Sequence, residues 1–530
     1  MKSLKIENLS FKYPDAEQYA LKDVSLEIQG GELCVIIGAT GSGKSTLLRC
    51  LKPEIAPRGE VHGKVTLDGA DVTTLDTRSS AMSIGFVAQS PEQSIVTDKV
   101  YHEIAFGLES IGVEQAQMHR RVSEVCAYFG IEELFERGTD TLSGGQKQLL
   151  CLAGAVAMAP DVLLLDEPSS QLDPIAAAEL INAVKRLNSD LGMTVIMVEH
   201  RLEDIISVCD RLVVLEDGHL THQGKPRRVI SELAERSSRP TVIDALPTPT
   251  RIYLENRKLY ADADVPLSVK ELRTLIMLTG KTPAPSFRAL PPKSSDETTV
   301  ELTDISFRYG KNLPDVIKNL SLRAHRGEVL CILGGNGSGK STLLSLIAGI
   351  ETPHSGKIRL LGKRQKDFHD ADLWRGTVAY LPQDVEVLFT KQTVKEELGP
   401  SPWGARLGLT PLSGMHPYDL SGGQKQLLGL AMVLATDPKI LLMDEPTKGL
   451  DPEKRALMSD VIASLSESGV TTVIVSHDVE FCARIAHTAT LFFRGTALPP
   501  AVPDEFFKGN RFYTTAERKV LAFSEKKPKQ

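Results

Sequence analysis

The chain is short of cysteine and of long apolar stretches. Only 7 of its 530 residues are cysteine, and they form neither CxxC pairs nor Cys/His clusters. This pattern argues against a disulfide framework or a zinc site, and it fits a reducing compartment. No stretch of about 18 residues is both apolar and free of charge, so we expect no membrane-spanning helix, and the N-terminus lacks the features of a signal peptide. The net charge of −7 gives no electrostatic reason to expect nucleic acid as a partner.

Four motifs occur twice, in the same order, along the chain. They are ELCVIIGATGSGKSTLL (Glu32–Leu48) and EVLCILGGNGSGKSTLL (Glu328–Leu344), LSGGQKQLL from Leu142 and from Leu420, LLLDEPSSQLDP (Leu163–Pro174) and LLMDEPTKGLDP (Leu441–Pro452), and VIMVEH and VIVSH, which end at His200 and His477. Repetition on this scale indicates two similar domains in tandem, the second with a shorter insert between the first two motifs. We therefore predict a first domain at 1–224, a Pro-rich appendage and linker at 225–298, a second domain at 299–495 and a tail at 496–530.

The predicted linker is rich in proline. Residues 225–298 hold nine of the chain's 30 prolines, including PTPT (Pro247–Thr250), and proline denies the backbone donors that helices and sheets need. Two stretches look ordered, RIYLENRKLYAD (Arg251–Asp262) and the amphipathic SVKELRTLIML (Ser268–Leu278). We interpret residues 225–298 as an appendage of the first half plus a flexible connector. A random coil of this length reaches roughly 45–50 Å, which lets the two halves pair. The tail, which ends in KKPKQ, is expected to be a solvated end.

In each half an apolar run leads into the pattern GxxxxGKS, at Gly38–Ser45 and Gly334–Ser341. A helical STLL segment follows, and strand, glycine loop and helix are together the context that confirms a phosphate-binding loop. Glycines let consecutive backbone N–H groups point at phosphate oxygens, at a helix N-terminus whose dipole favours anions. The lysine would neutralise the β and γ phosphates of ATP, and the serine would ligate Mg²⁺. The predicted ATP ligands in the two loops are Gly38, Gly41, Gly43, Lys44, Ser45 and Thr46, and Gly334, Gly337, Gly339, Lys340, Ser341 and Thr342.

Each phosphate loop has an acidic partner further along the chain. DVLLLDE (Asp161–Glu167) and KILLMDE (Lys439–Glu445) are apolar without alternation, as a strand covered on both faces requires. The first carboxylate of each closing pair would hold Mg²⁺ through its water shell, and the second would polarise the attacking water. The pairs are Asp166 with Glu167 and Asp444 with Glu445.

The string LSGGQKQLL is identical in both halves. Ser143 and Ser421 fit helix N-caps, and the glycines after them leave backbone donors exposed. Such a helix start is a second anion site. These glycines are Gly144, Gly145, Gly422 and Gly423. A plain capped helix would explain one SGG triplet, but not the same nine-residue string whose serine lies 23 residues before the aspartate of the acidic pair in both halves.

This ordered set of motifs resembles the ABC ATPases over nearly all of both halves. The resemblance implies an α/β fold of two tandem P-loop ABC ATPase domains, each a RecA-like α/β core with an antiparallel β part and a helical signature subdomain. It implies that the halves pair head to tail within one chain, so that each ATP lies between one half's phosphate loop and the other half's LSGGQ. It further implies adenine stacking by Tyr13 and Tyr309, sensing of the γ-phosphate and Mg²⁺ by Gln89 and Gln383, and orientation of the attacking water by His200 and His477. Since neither half lacks a catalytic glutamate, a histidine or a signature serine, we predict two competent sites.

Two functions are compatible with this resemblance. One is the energising subunit of a membrane transporter, and the other is a soluble translation factor of the ABC-F kind, which also carries two ABC halves joined by a long linker. An ABC-F linker is long, helical and strongly charged, whereas residues 225–298 carry 13 basic and nine acidic side chains and are broken by proline. This difference favours transport, with a tandem ATPase of a sugar importer as a further alternative.

The segments after the two glutamines narrow the transport prediction. AQSPEQSIVTDKVYHEIAFGLES (Ala88–Ser110) resembles the ATPases of energy-coupling factor (ECF) transporters, which take up vitamins and metal ions. The resemblance implies a peripheral position on the cytoplasmic face of the cell membrane, with an integral-membrane scaffold protein and a substrate-binding membrane protein as partners. Glu92 and Glu386, three residues after each glutamine, are predicted to receive arginines of the membrane partner. The second half lacks the PEQ string and has a shortened region before its signature, which weighs against symmetric docking.

Overall fold

The computed structural model describes residues 2–522 except Asp15, Gln171, Asp173, Arg201 and the ranges 237–240, 261–262 and 284–294. The chain divides into two units, Met1–Thr279 and Gly280–Gln530. Within the described ranges, none of the helices has both the length and the apolar composition that a membrane span requires. The cysteines are all free thiols.

The first unit has an antiparallel β part followed by alternating strands and helices. Its strands are β1 (Leu4–Lys12), β2 (Leu21–Ile28), β3 (Leu33–Ile37), β4 (Glu60–Leu67), β5 (Ala70–Asp71), β6 (Ile84–Val87), β7 (Val162–Asp166), β8 (Thr194–Val198), β9 (Arg211–Glu216) and β10 (His219–Gly224). Its helices are α1 (Lys44–Cys50), α2 (Thr77–Ser83), α3 (Val100–Ser110), α4 (Gln115–Phe129), α5 (Gly144–Ala157), α6 (Pro174–Leu191), α7 (Pro226–Ala234), α8 (Thr248–Glu255) and α9 (Val269–Thr279).

The second unit repeats this order. Its strands are β11 (Thr298–Phe307), β12 (Ile317–His325), β13 (Val329–Leu333), β14 (Ser355–Leu360), β15 (Lys363–Arg364), β16 (Val378–Leu381), β17 (Ile440–Asp444), β18 (Thr471–Ser476), β19 (Thr488–Phe493) and β20 (Thr496–Ala497). Its helices are α10 (Lys340–Ala348), α11 (Asp370–Trp374), α12 (Val394–Leu398), α13 (Trp403–Arg406), α14 (Gly422–Leu434), α15 (Pro452–Glu467), α16 (Val479–Ile485), α17 (Pro503–Gly509) and α18 (Ala516–Leu521).

Each unit contains two sheets of matching topology. An antiparallel sheet has the order β2-β1-β4-β5 in the first unit and β12-β11-β14-β15 in the second. A larger sheet has the order β10-β9-β3-β8-β7-β6 in the first unit and β20-β19-β13-β18-β17-β16 in the second, and it is parallel apart from the edge strands β10 and β20. The predicted α/β class, with an antiparallel part in each of two tandem domains, is confirmed.

The central parallel strands are buried on both faces, which explains their unbroken apolar sequence. In β13, Leu330 and Ile332 pack into the core beneath the antiparallel sheet. The alternate residues Cys331 and Leu333 pack into a second core with helices α14, α15 and α16. The first unit uses β3 in the same way, with every residue buried. Helices on one face and a sheet on the other therefore fix the carboxyl ends of these strands, where the site motifs lie.

The helical part that precedes the signature differs between the units. In the first unit α3 and α4, of 11 and 15 residues, lie against α5. In the second unit the corresponding α12 and α13 have five and four residues. The shortened region that the sequence predicts before the second signature is therefore present in the fold.

Much of the region predicted as appendage and linker is folded structure of the first unit, which extends to Thr279. Helices α7, α8 and α9 occupy it, and the rings of Tyr253 and Tyr260 stack with their centroids 5.9 Å apart. Prolines do not interrupt these helices. Pro226 and Pro249 stand in the first turns of α7 and α8, where a backbone N–H has no partner inside the helix.

The two stretches predicted to be ordered inside the linker correspond to helical structure. Ser268–Leu278 is confirmed as α9, and Arg251–Asp262 covers most of α8 and a 3₁₀ turn at Arg257–Tyr260. Ala261 and Asp262 lie outside the described residues, as do 237–240 and 284–294, which contain the prolines at 240, 285, 291 and 292.

The C-terminal tail is packed onto the second unit as far as residue 522. Phe506 and Phe507, in α17, are buried in the same core as α14, α15 and α16, and Val520 of α18 is 1% exposed. The expectation of a solvated end is therefore wrong for α17 and α18, because their apolar residues pack against the sheet. The stretch KKPKQ lies outside the described residues.

Candidate functional site

The predicted site residues of each half lie at the carboxyl ends of neighbouring parallel strands. In the first unit the phosphate loop follows β3, the histidine follows β8, the acidic pair closes β7 and the glutamine follows β6. These strands are adjacent in the order β3-β8-β7-β6, and β13-β18-β17-β16 repeats the arrangement. In open α/β sheets, ligands bind in the crevice outside the carboxyl ends of the strands. Each unit therefore contains its own candidate site.

The phosphate loops are folded around their lysines. Lys44 Nζ donates hydrogen bonds to the carbonyl oxygens of Gly38 (2.9 Å) and Ala39 (2.8 Å). In the second unit Lys340 Nζ donates to the carbonyl oxygens of Gly334 and Gly335, both at 2.9 Å. Both ammonium groups are buried beside the loop backbone. A phosphate entering either loop would meet a positive charge that is already positioned.

Glycine is required just before the lysine of each loop. Gly43 has a φ of 97° and Gly339 a φ of 104°, in the left-handed region that favours glycine. A Cβ at Gly43 would also lie 2.4 Å from the carbonyl oxygen of Ala20. The backbone therefore enters α1 and α10 at an angle that other residues do not tolerate.

The carboxylates that close β7 and β17 suit Mg²⁺, which binds through one or two carboxylates, water and substrate phosphates. Ser45 Oγ donates to Oδ1 of Asp166 at 2.8 Å, so the two predicted metal ligands of the first half are together. In the second half Oδ1 of Asp444 is buried and accepts no hydrogen bond within the described part of the chain. Burial raises the pKa of both aspartates, and a divalent cation would offset this cost. The residues present therefore fit the metal.

The catalytic glutamate predicted in the first half contacts both of its predicted partners. Nε2 of His200 lies 2.8 Å from Oε1 of Glu167, and Nε2 of Gln89 donates to Oε2 of Glu167 at 2.8 Å. Burial acts to raise the pKa of Glu167, but the hydrogen bond and charge of His200 and the charge of Lys44 outweigh burial and lower that pKa. This carboxylate is therefore ionised at neutral pH, as polarisation of water requires.

The second half differs at the equivalent position. Oε2 of Glu445 accepts hydrogen bonds from Ser476 Oγ (3.1 Å) and from the backbone N–H of His477 (3.2 Å), and it lies 2.9 Å from Nδ1 of His477. Gln383 is exposed beyond β16, and among the described residues no hydrogen bond joins it to Glu445. The sequence prediction missed Ser476, although comparing VSH with VEH in the repeats would have revealed the difference.

The predicted adenine-stacking tyrosines lie beside their phosphate loops. The hydroxyl of Tyr13 is 3.0 Å from Oγ1 of Thr46, and that of Tyr309 is 2.9 Å from Oγ1 of Thr342. The Tyr13 ring is 40% exposed and the Tyr309 ring 59% exposed. Both rings therefore have an open face next to the loop.

The signature serines are helix N-caps, as predicted. The side chains of Ser143 and Ser421 accept a hydrogen bond from the backbone N–H three residues later. The side-chain oxygens of Gln146 and Gln424 accept the backbone N–H of the cap serine, which completes a capping box in each half. A Cβ added at Gly144 or Gly422 would meet nothing within 4 Å, so the start of each helix is open. Pairing of each signature with the other half's phosphate loop stays a prediction.

The predicted docking acids are ion-paired within their own halves. Glu92 lies 3.7 Å from Lys147, and Glu386 lies 2.7 Å from Lys425. Both lysines follow LSGGQ at the same position, in the first turns of α5 and α14. The segment after each glutamine is thus connected to the signature helix of the same half.

Comparison with known proteins assigns the chain to a family. A family model described as ABC transporter matches residues 21–170 and 317–448. The chain belongs to the ABC transporter family. It is 37% identical to a protein of Bacillus thuringiensis subsp. konkukian, over 97% of this chain and 95% of that protein. It is 32% identical to a protein of Streptomyces coelicolor, over 98% of this chain and 97% of the relative. The names of both relatives assign them to the ATP-binding proteins of ABC transporters.

Solved structures share the fold over almost the whole chain. Archaeal ribosome recycling factor aABCE1, solved with ribosomal stalk protein aP1, aligns with 95% of this chain and 91% of its own at a TM-score of 0.59 and 23% identity. A ribosome-bound model of archaeal Pelota and ABCE1 aligns with 95% of this chain and 80% of its own at a TM-score of 0.64 and 22% identity. At these identities the likeness shows the fold of tandem ABC domains. As a member of the ABC family, the chain is an ATPase that uses ATP with Mg²⁺.

Proposed function

We propose that this ATPase energises transport across a membrane by closing its two halves head to tail on two ATP molecules. The observation that carries the proposal is that each half presents the complete set, a phosphate loop, a glutamine, a capped signature serine, an acidic pair and a histidine, in the same order. A site divided between two halves makes hydrolysis depend on closure, so ATP binding can perform mechanical work. The names of the relatives support the same class of function.

Within this proposal the charged groups of each half divide the chemistry. Lys44 and Lys340 would exchange their contacts with loop carbonyls for contacts with phosphate oxygens. Asp166 and Asp444 would hold Mg²⁺, which supplies charge neutralisation on the phosphates when bound. The glutamate after each aspartate would orient and polarise the attacking water, because phosphoryl transfer needs positioning and charge stabilisation more than covalent chemistry.

The finer proposal is an importer of the ECF type, in which a membrane scaffold protein and a substrate-binding membrane protein are the partners. The carboxylates of Glu92 and Glu386 are about half exposed, and exposed Val96 and Val387 lie near them in sequence. This combination suits a partner helix that carries arginine on an apolar face. Such an arginine would compete with the signature-helix lysine for the carboxylate, and docking would thereby affect the signature.

Binding to membranes that lack the native chain tests this docking. The variant Glu92→Gln with Glu386→Gln should lose saturable binding to membrane vesicles prepared from a host deleted for the chain, while its ATPase rate in solution is retained. The matched control is Lys147→Gln with Lys425→Gln, which breaks the same ion pairs but keeps the acids, and it should still bind. Unchanged binding of the acid variant, or joint loss of binding and ATPase activity, would count against the docking proposal.

A further inference from the structure

The two halves differ at the residue immediately before the site histidine. The first half has Glu199 there and the second has Ser476, in otherwise similar apolar strands. Both side chains are buried, Glu199 being 1% exposed and Ser476 fully buried. A buried carboxylate and a buried hydroxyl interact with a neighbouring carboxylate in opposite ways, so this difference bears directly on the catalytic glutamates.

In the first half both carboxylate oxygens of Glu199 accept hydrogen bonds from neighbouring donors. Its Oε1 accepts the backbone N–H of His200 at 2.9 Å, and its Oε2 accepts the hydroxyl of Ser169 at 2.8 Å. The neighbouring Glu167 points elsewhere, towards the side chains of Gln89 and His200. Both catalytic glutamates contact the site histidine, Glu167 at Nε2 of His200 (2.8 Å) and Glu445 at Nδ1 of His477 (2.9 Å). Among the described residues only Glu167 also bonds to the glutamine assigned to the γ-phosphate and Mg²⁺, so Glu167 already lies on the reactive side.

In the second half the same backbone donor is taken by the catalytic glutamate. The N–H of His477 donates to Glu445 at 3.2 Å, and the hydroxyl of Ser476 donates to the same oxygen at 3.1 Å. Ser476 Oγ in turn accepts the backbone N–H of Asp478 at 3.0 Å, which fixes the orientation of the hydroxyl. Glu445 is therefore held against the loop that follows β18.

The backbone does not account for this difference. Glu167 and Glu445 have φ angles of 47° and 48°, and their N–H groups donate to the equivalent carbonyls of Val198 and Val475. Only the side chains diverge. A buried carboxylate at Glu199 repels a second carboxylate and satisfies the local N–H itself, whereas a serine hydroxyl donates a hydrogen bond to one.

We propose that Ser476 is a positioning residue that holds the catalytic Glu445 away from the attacking water in the resting protein, and that Glu199 prevents the same arrangement at Glu167. The two ATP sites are then both competent but unequal. The site that contains Glu167 hydrolyses ATP first, and the site that contains Glu445 follows after its carboxylate has left Ser476.

Carboxyl footprinting of the full-length, nucleotide-free chain tests the resting arrangement without any membrane partner. A carbodiimide with glycine ethyl ester labels accessible carboxylates, and peptide mass spectrometry quantifies Glu445 and Glu167 in the same sample. Ser476→Ala should increase labelling of Glu445 about fivefold, which corresponds to one hydrogen bond of about 1 kcal/mol, and should leave Glu167 unchanged. Ser476→Thr keeps the hydroxyl and should behave as the native chain. Unchanged labelling of Glu445, or an equal rise at both glutamates, would overturn the proposal.

Quenched-flow hydrolysis tests the kinetic consequence. The chain is loaded with two ATP per molecule without metal and then mixed with Mg²⁺, and two phases of equal amplitude are expected. Glu445→Gln should remove the slow phase, while Ser476→Ala should accelerate it about fivefold, the factor expected for one lost hydrogen bond, and leave the fast phase intact. A single phase in the native chain, or a slow phase that Ser476→Ala does not change, would contradict the proposal. Neither experiment depends on transport, so each result is independent of the docking experiment.

Discussion

At the scale of single residues, the site places two adjacent carboxylates in different electrostatic surroundings. Burial raises the pKa of Asp166, whereas for Glu167 the interactions with His200 and Lys44 outweigh burial and lower it. An ionised Asp166 therefore costs the metal-free protein stability, and the same charge is what attracts Mg²⁺. Function and metal-free stability are opposed at this position.

We predict that Asp166→Asn stabilises the metal-free chain at pH 7 and abolishes its ATPase activity. The folded-state pKa of Asp166 lies above its unfolded value of about 3.8, so the folded state binds the proton more tightly. The cost of ionisation is therefore absent well below pH 3.8 and fully present above the raised pKa. Thermal unfolding across this pH range should show the variant gaining a few degrees at neutral pH and nothing in acid. A lower midpoint at pH 7 would show that lost hydrogen bonding outweighs the relief of charge.

The sequence could identify these residues, but it could not give their rotamers. Motif spacing predicts Glu167 and Glu445 equally well, because both directly follow similar apolar strands, VLLLD and ILLMD. Their different contacts depend on the position just before the site histidine, where the two repeats differ, with Glu199 in the first half and Ser476 in the second. The same holds for Tyr380, whose hydroxyl donates to Oδ2 of Asp444 at 3.4 Å where the first half has a phenylalanine.

At the scale of elements, the signature helices begin with complete capping boxes. Four N–H groups at a helix start have no partner inside the helix, and the serine and glutamine of each box satisfy two donors between them. The cap also holds the open N-terminus of α5 or α14 in a defined direction. The capping residues therefore set where each helix begins and leave that end as a candidate anion-binding site.

Removal of a cap should lower stability and activity together. Ser143→Ala is expected to cost about 1 kcal/mol of unfolding free energy, because one backbone donor loses its acceptor. Ser143→Asp is the control, since aspartate caps equally well but brings a negative charge to the proposed phosphate site. Urea unfolding should therefore give a lower free energy of unfolding for Ser143→Ala than for Ser143→Asp, while both variants lose ATPase activity. Full ATPase activity in the aspartate variant would argue against phosphate binding at this helix.

The glycines of the phosphate loop and of the signature should respond differently to an added methyl group. Gly43→Ala is expected to destabilise the chain by more than about 1 kcal/mol and to prevent ATP binding at that loop, because its φ is left-handed and its Cβ would meet the Ala20 carbonyl. Gly144→Ala lies in the first turn of α5 with open space around it, so its stability should be unchanged or slightly higher. Calorimetry and binding of a fluorescent ATP analogue test both. If Gly43→Ala were as stable as Gly144→Ala and still bound the ATP analogue, the phosphate-loop backbone would have to adapt to the added methyl group.

At the scale of the whole molecule, the tandem repeats predict the architecture of the two units. The predictions that differ from the structure concern the regions predicted from amino-acid composition alone. Proline content leads us to expect only two short ordered stretches in 225–298 and a solvated tail, yet helices α7, α8, α9, α17 and α18 occupy these regions. Their prolines stand at helix starts, and buried aromatic residues such as Tyr260 and Phe507 attach the segments to their units. Composition measures how often proline occurs, whereas its structural effect depends on position within the helix.

We predict that the segment after residue 224 stabilises the first unit. Tyr260 is 1% exposed and stacks on Tyr253, so Tyr260→Ala should cost about 3 kcal/mol or more of unfolding free energy. Leu278→Ala is the matched control, because this side chain is 80% exposed and its loss should have no measurable effect. Chemical denaturation of the full chain measures both. Equal stability of the two variants would mean that the segment does not support the first unit.

The central claim is that ATP hydrolysis by this chain drives membrane transport, and its most direct test is to identify what the chain binds in its own host. The tagged chain would be recovered from gently solubilised membranes, with the Glu92→Gln and Glu386→Gln double variant processed in parallel. We expect two strongly hydrophobic proteins to co-purify with the native chain and to be lost with the variant. Recovery of ribosomal proteins without any membrane protein would contradict the account and favour a soluble role in translation.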